Sequence, residues 1–168
     1  MGIRIATNVE DANSASSIYA ESWKAGYRGM LSDELLDTIP LDFWVPAFTD
    51  NFSSHRFEIA IMDESHVDIG AGGYGMSRDY KEKNVGEITS IYFRPEAWGK
   101  GYAKQLFDFM VAALHEMGCK KIYLWTIKEN IRAQRFYEKC GFKRTGKEKL
   151  ISFKGEEVID IEYAQEFD

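Results

Sequence analysis

The strongest period in the chain lies in its second half. Ala103, Leu106, Phe107, Met110, Leu114 and Met117 recur at i, i+3, i+4, i+7, i+11 and i+14, which lays them on one helical face, and Gly118 comes next as a stop. A similar spacing of Ala12, Ala15, Tyr19, Ser22, Trp23 and Gly26 predicts a first helix ending near Ala25, with Thr7 and Glu10 at capping-box spacing before it. Residues 32–48 read as a further helical region, interrupted by Pro40 and Pro46. Asn130 can cap a short helix whose inner face is Ala133, Phe136, Tyr137 and Cys140, closed by Gly141. Between these lie β-like runs at 3–6, 57–62, 67–76, 85–93, 122–126, 149–153 and 158–164. Asp63-Glu64-Ser65-His66 and Lys154-Gly155 read as turns, 79–84 as a charged loop, and Pro95 ends the run that reaches Phe93. This mixture predicts an α/β fold with a mixed central sheet and helices on both faces. No repeat, linker or low-complexity segment breaks the 168 residues, which are expected to form one domain, 1–168.

Composition narrows the partners. A net charge of −6 disfavours nucleic acid, whose binding rests on many Lys and Arg contacts. No apolar run is long enough to span a bilayer, and Met1-Gly2-Ile3-Arg4 lacks the apolar core of a signal peptide. Ala6 stands where a myristoylation signal has Ser or Thr, so no membrane partner is expected. The two cysteines, Cys119 and Cys140, form no CxxC pair, which fits a reducing, cytoplasmic setting. His55, His66 and His115 are scattered, and no metal site is expected.

The candidate chemistry centres on Arg94 to Lys104, between the strand ending at Phe93 and the long helix. A helix start with glycines leaves free N–H groups, a positive dipole end and room for close approach, which together make an anion site. Two rival phosphate motifs fail. No P-loop is present. Gly70, Gly72 and Gly75 spell GxGxxG, but the charged stretch 76–84 shows no helical face, so these glycines are expected in a strand with a bulge or close packing.

The loop resembles the acyl-CoA loop of the GNAT superfamily of N-acetyltransferases, whose pattern is Gln or Arg, two residues, Gly, one residue, then Gly or Ala. Gly101 and Ala103 match its last positions; Trp98 stands where Gln or Arg is usual. Asn130, Ala133, Phe136, Tyr137, Gly141 and Phe142 match a second block, N-x-x-A-x-x-F-Y-x-x-x-G-F. The stretch from Ser22 to Leu31 resembles a subgroup with Ser-Trp-(Arg/Lys)-x-x-Tyr-Arg-Gly after its first helix.

This resemblance implies transfer of acetyl from the co-substrate acetyl-CoA to an amine acceptor, without a metal. It implies two splayed parallel strands, 88–93 and 122–126, at the acyl-CoA site. Gly99, Lys100, Gly101, Tyr102, Ala103 and Lys104 would cradle the pyrophosphate beside Trp98, backbone amides taking the part that a Gln or Arg side chain usually shares. The two lysines either add charge or are simply solvated. Ile91, Tyr92 and Phe93 would pair their backbones with pantetheine. Asn130, Ala133 and Phe136 would border that arm. Glu87 is the implied base, acting directly or through water and sharing a strand face with Thr89 and Ile91. Tyr137 is the implied acid, and Trp23, Tyr27 and Arg28 would border the acceptor, with Phe43 and Trp44 nearby. The acceptor is a small molecule or a peptide N-terminus or lysine, and a homodimer is possible. Two other classes stay open: a non-catalytic acyl-CoA sensor, and a nucleotide-binding domain of another fold.

Overall fold

The computed structural model describes residues 1–168. Seven strands form one sheet: β1 (Gly2–Ile5), β2 (Glu58–Glu64), β3 (Val67–Met76), β4 (Val85–Phe93), β5 (Lys121–Ile127), β6 (Lys143–Phe153) and β7 (Glu156–Glu166), in the order β1-β2-β3-β4-β5-β7-β6. All neighbours are antiparallel except β4 and β5, so the sheet is mixed, as expected.

Helices α4 (Tyr102–Glu116) and α5 (Ile131–Lys139) pack on one face. On α4, Leu106, Phe107, Met110 and Leu114 are buried against Ile88 and Phe93 of β4 and Ile122 and Leu124 of β5. Each such side chain contributes about 1.5–3 kcal/mol of apolar burial. Helices α1 (Val9–Gly26), α2 (Asp33–Thr38) and α3 (Val45–Ser54) cover the opposite face through Ala12, Ala15, Ile18, Tyr19 and Phe48, and through Ala20, Leu35 and Leu36. No helix is long and apolar enough to cross a membrane.

Local chemistry shifts three boundaries from those the sequence predicts. Helix α1 is capped by Asn8, which accepts the Asp11 N–H at 3.0 Å, while Asp11 accepts the N–H of Thr7 at 3.0 Å. The cap and the acid three residues on are therefore Asn8 and Asp11, one residue later than Thr7 and Glu10, and the acid reaches back to Thr7 rather than to the cap itself. Pro46 does not interrupt a helix: it lies in the first turn of α3, where a missing N–H costs nothing. Strand β6 begins at Lys143, well before 149, because its charged first half lies on the sheet edge and needs only β7 as partner.

The GxGxxG glycines lie in β3, as expected. A Cβ at Gly70 would stand 2.2 Å from the Phe93 ring, and one at Gly72 would stand 2.8 Å from the Met110 sulfur. They are there so that neighbouring side chains can cross the strand closely.

Candidate active site

Strands β4 and β5 pair only through Val85–Lys121, Gly86–Ile122 and Glu87–Tyr123. Beyond these β4 runs on to Phe93 beside β3 alone, and β5 runs on to Ile127 beside β7 alone. The divergence starts at a bulge. Gly73 faces Ser90 and Tyr74 faces Ile88, which leaves Thr89 without a partner on β3.

The bulge redirects the side chains beyond it. Glu87 shares its face with Ser90, whose hydroxyl meets that of Tyr19 on α1, and with Tyr92, which packs on the α1 cluster. Ile91 instead packs with α4, so it does not share the Glu87 face as regular alternation predicts. Arg94 donates its N–H to Ile69 on β3. By alternation, Phe93 and Ile91 turn their backbone groups into the gap and Tyr92 turns its own toward β3. Tyr92 thus meets the gap with its side chain.

A cavity of about 540 Å³ runs along the gap. At one end it is lined by Trp98, Gly99, Gly101, Tyr102 and Ala103. Gly99 (φ 77°) and Gly101 (φ 83°) adopt left-handed backbone, with nothing within 4 Å of where a Cβ would point. Gly101 caps α4 without a side-chain hydrogen bond, so the first-turn N–H groups are left open. The Trp98 indole Nε1 donates to the Phe93 carbonyl at 2.9 Å and ties loop to strand. The Tyr102 hydroxyl is held by Glu64 on β2. Lys100 is exposed, Lys104 pairs with Asp108 at 2.7 Å, and neither lines the cavity.

Helix α5 forms the wall beside the gap, with Asn130, Ala133, Phe136 and Tyr137 facing the cavity. The Asn130 side chain accepts the Ala133 N–H at 3.1 Å, which caps the helix. Tyr137 is buried, while its hydroxyl opens to the cavity and makes no hydrogen bond within the protein. Burial pushes that hydroxyl well above its ordinary pKa, so it stays protonated across the physiological range.

The far end lies under α1, where Trp23 and Tyr27 line the cavity. The Tyr27 and Tyr92 hydroxyls are 3.1 Å apart, and the Trp23 ring centroid lies 4.8 Å from that of Phe153 on β6. The Trp23 indole N–H is buried without a partner. Phe43 and Trp44 pack behind this wall and do not line the cavity. Arg28 points away, paired with Asp33 at 3.0 Å and with Asp37.

Glu87 is buried and faces the same space. Its carboxylate takes hydrogen bonds from Arg78 Nη2 at 2.6 Å, Arg78 Nε at 3.0 Å and the Tyr123 hydroxyl at 3.0 Å, with the Arg78 backbone N–H further off at 3.4 Å. Three of these bonds converge on Oε2, while Oε1 accepts only the one from Arg78 Nη2. Arg78 is the movable member, its side chain being 63% exposed.

A sequence profile described as "Acetyltransferase (GNAT) family" matches residues 18–142. The chain belongs to this family. The match runs from the middle of α1 to Phe142 and so includes the gap, the glycine turn and α5. This GNAT acetyltransferase is 32% identical over 109 residues to an uncharacterized N-acetyltransferase of Mycobacterium bovis, covering 61% of this chain and 69% of that one. It is 33% identical over 95 residues to the spermine/spermidine N(1)-acetyltransferase of Bacillus subtilis, covering 54% and 60%. Its fold is that of the PaiA N-acetyltransferase of Thermoplasma acidophilum, solved in complex with coenzyme A, with TM-score 0.72, 20% identity and coverage of 99% and 100%.

Two cavity residues carry no signal of their role in the sequence. Arg132 lies within the second block at one of its unfixed positions, and its guanidinium sits 4.2 Å above the Trp98 ring. Asp160 lies mid-strand in β7, where an acid among alternating apolar residues reads as a solvent-facing position.

Proposed function

We propose that this GNAT acetyltransferase moves the acetyl group of acetyl-CoA to a primary amine by direct attack. The reading is carried by one observation: open β4 backbone and the unpartnered hydroxyl of a buried tyrosine face a single cavity that runs back to a helix start without a side-chain cap. The pyrophosphate would lie on the amides from Gly99 through the first turn of α4, with Arg132 adding the positive charge that Trp98 does not supply. Pantetheine would pair with Ile91 and Phe93 as an added strand.

The amine must lose a proton before it attacks, since alkylammonium groups have pKa values of about 10.4. Glu87 is the proposed acceptor of that proton, through water, with Arg78 yielding a lone pair as it swings out. The nitrogen lone pair then forms the C–N bond, and a β4 backbone N–H stabilises the oxyanion. Collapse breaks the C–S bond, Tyr137 donates its proton to the departing sulfur, and the second proton, lost by the nitrogen as the amide forms, restores the tyrosine hydroxyl. The name of the Bacillus relative makes alkylamines a sensible first acceptor class.

The test is a screen of CoA release from acetyl-CoA against alkylamines, polyamines, amino acids and N-terminal peptides. Turnover with at least one amine is expected. Acetyl-CoA binding with no turnover on any of them would instead identify a binding module.

A further inference from the structure

Asp160 lies on β7 opposite Ile127 of β5 and Lys149 of β6. Its neighbours Ile161 and Tyr163 pack toward α4 and α5, while Val158 packs with the α1–α2 cluster. Asp160 therefore faces the α1 side, where it lines the cavity. Every other acid facing this cavity is committed: Glu87 is held by Arg78 and Tyr123. Asp160 has no hydrogen bond and no cation within salt-bridge distance. The nearest candidate, Lys149, stacks 4.1 Å from the Trp125 ring and leans to Asp79 at 3.9 Å. Burial raises the Asp160 pKa and Lys149 lowers it, burial being the larger influence. Its charge is felt by Tyr27 and Tyr92, whose hydroxyls it also disfavours from ionising.

A half-buried carboxylate with no protein partner is left to water, and a cation entering the cavity would pair with it. The aromatic wall of Trp23, Tyr27, Tyr92 and Phe153 suits the same occupant, because ring faces attract an alkylammonium and pack its carbons. Resting on the acetyltransferase reading above, we propose that Asp160 is the acceptor-binding residue of this enzyme: its carboxylate holds an ammonium group of a cationic alkylamine against the aromatic wall. This makes the acceptor a positively charged aliphatic or arylalkyl amine, and Asp160 a determinant of affinity rather than of proton transfer.

The experiment titrates spermidine, butylamine and benzylamine into CoA-loaded protein and monitors tryptophan fluorescence, since Trp23 and Trp125 line the cavity. Wild type, Asp160→Asn and Asp160→Glu are compared. At least one amine should bind wild type, bind Asp160→Asn about tenfold more weakly or worse, and recover most of its affinity in Asp160→Glu. In turnover with that amine, KM should rise while kcat changes by a smaller factor. CoA affinity should be the same in all three proteins. Equal amine binding by wild type and Asp160→Asn overturns the proposal, as does binding of none of the three amines to CoA-loaded wild type. Failure of wild type to bind CoA at all strikes the acetyltransferase reading instead.

Discussion

The Arg132 guanidinium stands 4.2 Å from the centroid of the Trp98 ring, and both residues line the turn end of the cavity. A cation from α5 is thus held above the position where the family's loop usually carries its own Gln or Arg. Arg132→Ala should weaken acetyl-CoA binding by about tenfold with little change in melting temperature, since Arg132 is exposed. Calorimetric titration and thermal melts check both halves, and unchanged affinity would remove Arg132 from the phosphate site.

Trp98 has a second task, its bond to the Phe93 carbonyl. Trp98→Phe keeps a ring beneath Arg132 and loses that bond. It should cost about 1 kcal/mol of stability and leave acetyl-CoA affinity within a few fold. Urea melts and titration separate the two effects; a large affinity loss at unchanged stability contradicts this division.

Tyr137→Phe removes a hydroxyl that has no partner in the protein. Stability and acetyl-CoA affinity should therefore hold while kcat falls by roughly two orders of magnitude. Single-turnover CoA release measures it directly. Wild-type turnover in this variant removes Tyr137 as the acid.

Glu87→Gln discharges a buried group that organises Arg78 and Tyr123. Stability should drop by about 1–3 kcal/mol, and turnover should fall most near neutral pH, where deprotonation of the amine limits the rate. A pH–rate profile of wild-type shape in the variant would falsify the base assignment.

The glycine run of β3 can be probed separately. Gly70→Ala places a methyl 2.2 Å from the Phe93 ring, which is itself buried. Overpacking should cost about 1–3 kcal/mol. NAD binding to wild type that is lost in this variant would revive the dinucleotide reading.

Alkaline pH should unfold the protein sharply. Burial raises the hydroxyl pKa of Tyr19, Tyr27, Tyr92 and Tyr137 above the ordinary tyrosine value of 10.0. Below about pH 10 the folded and unfolded chains both keep these protons, so there is no penalty. Above it the unfolded chain ionises and the folded chain does not, so each group removes about 1.4 kcal/mol per pH unit until its folded pKa is reached. Denaturant melts across this range should lose stability faster than one tyrosine can explain.

How much is readable from sequence depends on where the information lies. The face of α4 is legible because apolar residues from Ala103 to Leu114 repeat through its turns and little else fits them; Met117, read onto the same face, lies at the C-cap and is exposed. The glycines of β3 are assigned to a strand because the charged stretch after them shows no helical face. Strand β6 reads short because Lys143 to Glu148 looks like solvent-exposed coil, and only pairing with β7 makes it a strand. The bulge is invisible, since Ile88-Thr89-Ser90-Ile91 has ordinary strand character and register belongs to the pairing. Within the site, Tyr137 and the glycine turn can be found through local motifs. Asp160 and Arg132 cannot, because each acquires meaning from a neighbour distant in sequence. Arg28 and Lys104 look available in sequence and are engaged by acids close by.

The unpartnered Thr89 makes β4 a strand governed by counting. Before it, odd-numbered Glu87 looks toward α1 and even-numbered Ile88 toward α4; after it, odd-numbered Ile91 and Phe93 look toward α4, and even-numbered Ser90 and Tyr92 toward α1. Parity inverts once, mid-strand. Removing Thr89 would straighten the pairing with β3 and leave every other side chain on the face it now holds, because Glu87, Ile88, Ser90, Ile91, Tyr92 and Phe93 already alternate without it. What would go is the local bend at the place where β4 parts from β5. Exchanging one side chain for another at Thr89 is mild by comparison, because the bulge is set by how many residues stand between Glu87 and Tyr92 rather than by which ones they are.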